Sequence, residues 1–77
     1  MNIFPREHHQ HDREWIKDQL SRLPIELKRV AVNGYDTAWQ QTWHAEPTPH
    51  MRENKARFAA NTRLRKYVDR VTGAKPY

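Results

Sequence analysis

Five cations in the C-terminal part of the chain have the spacing to do chemistry on a polyanion. At about 100° per residue, Arg52, Lys55, Arg63, Lys66 and Arg70 fall within an arc of about 80° on a single helix. Between Arg52 and Arg70 that helix rises about 27 Å at 1.5 Å per residue. A row of this length follows several phosphates, and each cation that neutralises a phosphate releases condensed counterions. Arg57 and Arg65 project from other sides of the same helix and would assist. Glu53 and Asp69 lie away from the row, so it is not internally neutralised. The competing readings are a solvated face that keeps a small protein in solution, and a surface that docks on an acidic protein.

The charge of the whole chain points the same way. Residues 1–46 carry six Lys/Arg against seven Asp/Glu, whereas residues 47–77 carry eight against two. Solubility alone does not require such segregation, so the composition favours a polyanionic partner, nucleic acid first.

Other reactive groups are sparse. His8, His9 and His11 resemble metal ligands, but a resident metal needs three or four ligands held in place. Residues 1–11 read as a flexible, dispensable arm that holds none, so no metal and no cofactor are expected. His44 and His50 flank a proline loop without obvious partners. The chain has no cysteine, which excludes disulfides, thiolate zinc sites and cysteine catalysis. Ser21 is the only serine, no Gly-rich phosphate loop is present, and the acids are scattered. Enzymatic activity is not expected.

Tyr35, Trp39 and Trp43 are four apart and form a ladder along one side of a helix. Burial is the usual fate of such a ladder, because each large aromatic removes about 150–250 Å² from water. The sharper reading makes this ladder, Trp43 above all, a stacking platform for unpaired bases or a hot spot for a protein partner, with Trp39, Trp43 and Phe58 as the anchors in the protein-partner case. Trp43 points furthest from the core direction set by Leu27, Ala31 and Ala38.

The elements that position these groups are helical throughout. Asp12 is placed to cap a first helix over residues 13–22, with Trp15, Ile16, Leu20 and Leu23 as its apolar stripe. Pro24 turns the corner into a second helix running to about residue 42. Asn33-Gly34 leaves open a true stop, with Asp36 capping a separate helix. The periodicity of Leu27, Ala31, Tyr35, Ala38 and Thr42 nevertheless runs through it, and Gly costs only about 1 kcal/mol in a helix interior, which favours a continuous helix. A seven-residue loop with Pro47 and Pro49 follows. It is too long for a helix-turn-helix, whose turn is about 3–4 residues. The third helix starts at Pro49, capped by Thr48, and closes at Gly73. Ala56, Ala60, Leu64, Tyr67, Val68 and Val71 form its core face. The expected fold is therefore all-α: a compact three-helix domain over residues 12–73, with the third helix antiparallel to the second and a short tail at 74–77. A chain of 77 residues buries only about 60–65% of its unfolded surface, so the core is small unless the protein forms a homodimer. No apolar run approaches the roughly 18 residues of a membrane span, and Pro5, Arg6 and Glu7 interrupt any signal peptide. A cytoplasmic protein is expected.

The string LSRLPIELKRVAVNGYDTAW, residues 20–39, resembles a short pattern of the replication-initiation endonucleases of temperate phages, through Leu23, Pro24, Leu27, Tyr35 and Asp36. The segment ANTRLRKYVDR, residues 60–70, is similar to helices of small phage and prophage proteins. The match covers under half the chain. The catalytic tyrosines and metal-binding histidines of the endonucleases have no counterpart here, so no catalysis is implied. What the resemblance implies is an accessory protein of a mobile element. The expected function is binding of nucleic acid, or of a nucleic-acid-processing complex, by the basic face of helix three. The alternative is an inhibitor or adaptor of a host replication or defence enzyme, working through the exposed aromatics.

Overall fold

The computed structural model describes residues 3–73, and the expected tail at 74–77 lies outside them. Among the described residues there are three α-helices and no strand: α1 Arg13–Ser21, α2 Ile25–Ala45 and α3 Arg52–Thr72. Short 3-10 turns, Gln10–Asp12 and Pro49–Met51, precede α1 and α3. No helix among these residues is long and apolar enough to cross a membrane.

Helices α2 and α3 make an antiparallel hairpin. Positions that rise along α2 meet positions that fall along α3: Gly34 lies against Arg63, Tyr35 against Asn61, and Glu46 against Lys55. Small residues line the contact, with Ala31 and Ala38 on α2 and Ala56 and Ala60 on α3 all buried, which lets the two axes approach closely. Leu64 and Val68 continue the seam. Helix α1 lies across the hairpin and adds Ile16 and Leu20, with Leu23 from the corner that follows it.

The second helix is unbroken through Gly34 and runs to Ala45, three residues past the expected end. The connection to α3 is correspondingly shorter, Glu46–Thr48 followed by the turn Pro49–Met51. Pro49 opens that turn rather than α3 itself, and the Thr48 side chain makes no capping bond. Helix α3 ends at Gly73, whose φ of 73° is left-handed and costs a residue without Cβ nothing. Val71 departs from the expected core face. It is 37% exposed, in the last turn of α3.

Within the stretch expected to form a flexible arm, residues 3–11 make contacts with the rest of the fold. Ile3 and Phe4 pack against the core, Pro5 is buried, and the Arg6 amide donates to Asp36 Oδ1 at 3.0 Å. The His8 ring meets Phe4 edge-on at 4.9 Å. His9 Nδ1 accepts the His11 amide at 3.1 Å. The histidines are thus engaged in holding this segment, and no cluster of three metal-ligating side chains occurs among the described residues.

Candidate nucleic-acid interface

The seven cations expected at the site fall into three groups. At the start of α3, Arg52 Nε donates to the Glu46 carbonyl at 2.8 Å, and Lys55 Nζ lies 2.6 Å from Glu46 Oε1. The other Glu46 oxygen accepts the Thr48 amide at 3.0 Å. These bonds, that from Lys55 above all, hold the Glu46 carboxyl below its usual pKa. Arg52 and Lys55 therefore brace the hairpin connection, and Lys55 reaches a phosphate only by sharing itself with Glu46.

Arg57 is committed to a polar lock between elements. Its Nε donates to Asp12 Oδ2 at 2.5 Å and its Nη2 to Oδ1 at 2.8 Å. Asn61 Nδ2 also donates to Asp12 Oδ2 at 2.9 Å, while Asn61 Oδ1 accepts the Tyr35 hydroxyl. The lock spans the segment before α1, the middle of α2 and the middle of α3. The Arg57 guanidinium holds the Asp12 carboxyl below its ordinary value, against the opposing effect of burial. Burial pushes the Tyr35 hydroxyl well above its ordinary value. Asp12 was expected to cap α1, yet its side chain makes no capping bond, since both oxygens are spent on α3. A bidentate Arg–carboxylate pair in this geometry is stronger than one exposed capping bond.

The remaining cations of the row line a groove between α2 and α3. Arg63, Lys66 and Arg70 stand along its α3 side, Val30 and Gly34 along its α2 side, and the cavity encloses about 540 Å³. Arg63 lies across α2 where Gly34 has no side chain: a Cβ there would come within 3.0 Å of Arg63 Nε. The glycine inside α2 thus corresponds to a close approach rather than to a helix break. Arg70 sits over the Tyr67 ring at 5.7 Å. Among the described residues, none of Arg63, Lys66 and Arg70 forms an ion pair. Arg65 stands apart, in a recess on the α1 side of α3.

The aromatic residues also divide. Trp39 is 3% exposed and stacks on Tyr35 at 6.4 Å, which removes it from any partner surface. Trp43 is half-buried and packs against the core. Phe58 is 75% exposed, the most exposed large apolar side chain among the described residues. Compared with protein-family models, curated proteins and solved structures, the chain matches none.

What sequence reasoning missed is the lock. Asp12 and Arg57 are 45 residues apart, and nothing in their local patterns distinguishes them from surface charges. Gly34 was the readable signal for the groove. A glycine kept inside a continuous helical period marks a place where another group comes close.

Proposed function

We propose that this protein binds nucleic acid through the phosphate backbone, using the groove between α2 and α3. The observation that carries the reading is that Arg63, Lys66 and Arg70 line one groove with no carboxylate paired to them among the described residues. Cations that are not neutralised by the protein's own acids are the ones that displace counterions from a polyanion. Between Asn54 and Val68 the sequence holds five cations and no acid. With Lys55 and Arg57 paired to Glu46 and Asp12, Arg63, Arg65 and Lys66 are left without an ion pair among the described residues. The phage-type resemblance fits a cytoplasmic accessory role beside replication or defence machinery.

The test is binding to generic DNA as a function of salt. Log affinity should fall with log salt by about 0.7–0.9 per phosphate contacted. The double variant R63E/K66E should lose binding while keeping its helical circular dichroism, because both side chains are exposed. Absence of binding by micromolar wild-type protein at about 50 mM salt, where such contacts are strong, rejects the reading.

The second reading is a protein-interaction module. Phe58 favours it, as an exposed aromatic anchor. Two of its three expected anchors, Trp39 and Trp43, are however engaged with the core.

A further inference from the structure

We infer that the nucleic acid bound by this protein is single-stranded, with an unpaired base stacked on Phe58. The inference rests on the backbone-binding reading and specifies its substrate. Two recesses flank the exposed ridge of α3. One is the cationic groove of Arg63, Lys66 and Arg70. The other, of about 580 Å³, lies between α1 and α3 and is lined by Phe58, Asn54, Arg65 and Trp15 among others. Thr62 lines both, so the two are adjacent across a single side chain.

The chemistry of the second recess suits a base. Phe58 is 75% exposed, and burying an aromatic face against a base is favourable whatever the base, since every base has a π face. Arg65, exposed and without an ion pair among the described residues, stands two helical turns further along and can meet the phosphate or stack in turn. The one carboxylate in the recess, Asp12, is already neutralised by Arg57. Asn54 and Thr62 supply amide and hydroxyl groups for a base edge. Asp69, half-buried one turn beyond Arg65, ends the run of cations on the Arg65 side of α3.

A duplex fits this arrangement less well. Its bases are stacked on one another, so unless the duplex is kinked Phe58 meets base edges or sugar rather than a π face. A single strand crossing the ridge at Thr62 lays its backbone on Arg63, Lys66 and Arg70 and turns a base onto Phe58. Phosphate and π face alternate along such a strand, matching a cationic groove beside an exposed ring.

The experiment measures fluorescence anisotropy of three labelled probes of equal length: oligothymidylate, an abasic strand with the same phosphates, and a duplex. Wild type should bind oligothymidylate about 10-fold more tightly than either of the others, within the range of about 1–3 kcal/mol per stacked base. F58A should erase that advantage and leave duplex and abasic affinities unchanged, and F58W should restore it with quenching of the introduced indole. Equal affinity for all three probes, or an F58A variant that binds oligothymidylate as wild type does, overturns the inference. The latter outcome removes Phe58 from nucleic-acid binding. If R63E/K66E still abolishes binding in either case, the backbone reading survives; if no probe binds wild type, both fall.

Discussion

The Arg57 guanidinium closes on the Asp12 carboxylate through two hydrogen bonds, Nε to Oδ2 and Nη2 to Oδ1. One of the cations that sequence would lend to a ligand is thereby spent on the fold. Asp12 is 9% exposed, and Asn61 gives it a third hydrogen bond while tying it to Tyr35.

This pair predicts an acid dependence of stability. The folded-state pKa of Asp12 lies below its unfolded value, mainly because of the Arg57 hydrogen bonds, and that of Glu46 is lowered mainly by Lys55. A depressed carboxyl contributes stability that is complete above its unfolded pKa, about 4, and lost as pH falls through the folded pKa. Urea midpoints should therefore be flat from neutral pH down to about pH 5 and drop below about pH 4. Asp12→Asn should be less stable than wild type at pH 7 and show a shallower acid slope. Parallel pH profiles for the two proteins would mean that Asp12 is not the group titrating.

The hairpin seam predicts a contrast between two apolar residues of α3. Leu64 is 2% exposed and Val71 is 37% exposed, although the sequence puts both on one face. Leu64→Ala should cost about 2–4 kcal/mol in denaturant unfolding, a large share of the stability of a small domain. Val71→Ala should cost only a few tenths, since little apolar area changes its exposure. Similar losses at the two sites would mean that α3 packs along its whole length.

Helical period read the three helices, the Pro24 corner and the Gly73 stop correctly, because each depends on residues a few positions apart. Val71 was misplaced because period places a residue on a face but does not show how far along that face the rest of the fold covers it. The docking of the N-terminal segment was illegible for a related reason. Ile3, Phe4 and Pro5 have no local repeat, and only the tertiary contact with α1 and α2 gives them a place. At the site, the sequence put five cations in one row, and the structure divides that row by the position of Glu46. A carboxylate at the hairpin connection engages Arg52 and Lys55, leaving the groove to the other three.

The docked segment predicts that it is not dispensable. Phe4 packs on the core beneath the Arg13 guanidinium, which sits 5.0 Å from its ring centre. Phe4→Ala should destabilise the protein by about 1–2 kcal/mol, less than for a fully buried ring because Phe4 is only partly buried. Deletion of residues 2–10 should lower the melting temperature by more than the few degrees expected of a free arm. An unchanged melting temperature after the deletion would show that these contacts contribute nothing.

Gly34 predicts a stabilising substitution. An alanine Cβ there would lie 3.0 Å from Arg63 Nε, which is too close. That atom, however, belongs to a long exposed side chain able to swing into solvent. Replacing a helix-interior Gly by Ala removes backbone entropy from the unfolded chain and is worth about 0.5–1 kcal/mol. Gly34→Ala should therefore raise stability by a few tenths to about 1 kcal/mol, and in an Arg63→Ala background the full helix-propensity gain should appear. The two substitutions should be non-additive by the cost of displacing Arg63, which a double-mutant cycle reads directly. Additive effects would mean that Arg63 does not lie over Gly34.

The division of the basic row predicts unequal contributions to binding. If nucleic acid occupies the groove, Arg63→Ala, Lys66→Ala and Arg70→Ala should each reduce the salt slope by about 0.7–0.9. Lys55→Ala should reduce it by less, because Lys55 already holds Glu46 at 2.6 Å and a phosphate must compete with that carboxylate. Arg57→Ala should act on stability instead, since it leaves Asp12 charged and deprived of its main partner in a largely buried place. Comparing salt slopes with urea midpoints across the five variants separates the two roles. Equal slopes for Lys55 and Lys66 would place the polyanion over the whole row rather than in the groove beside Gly34.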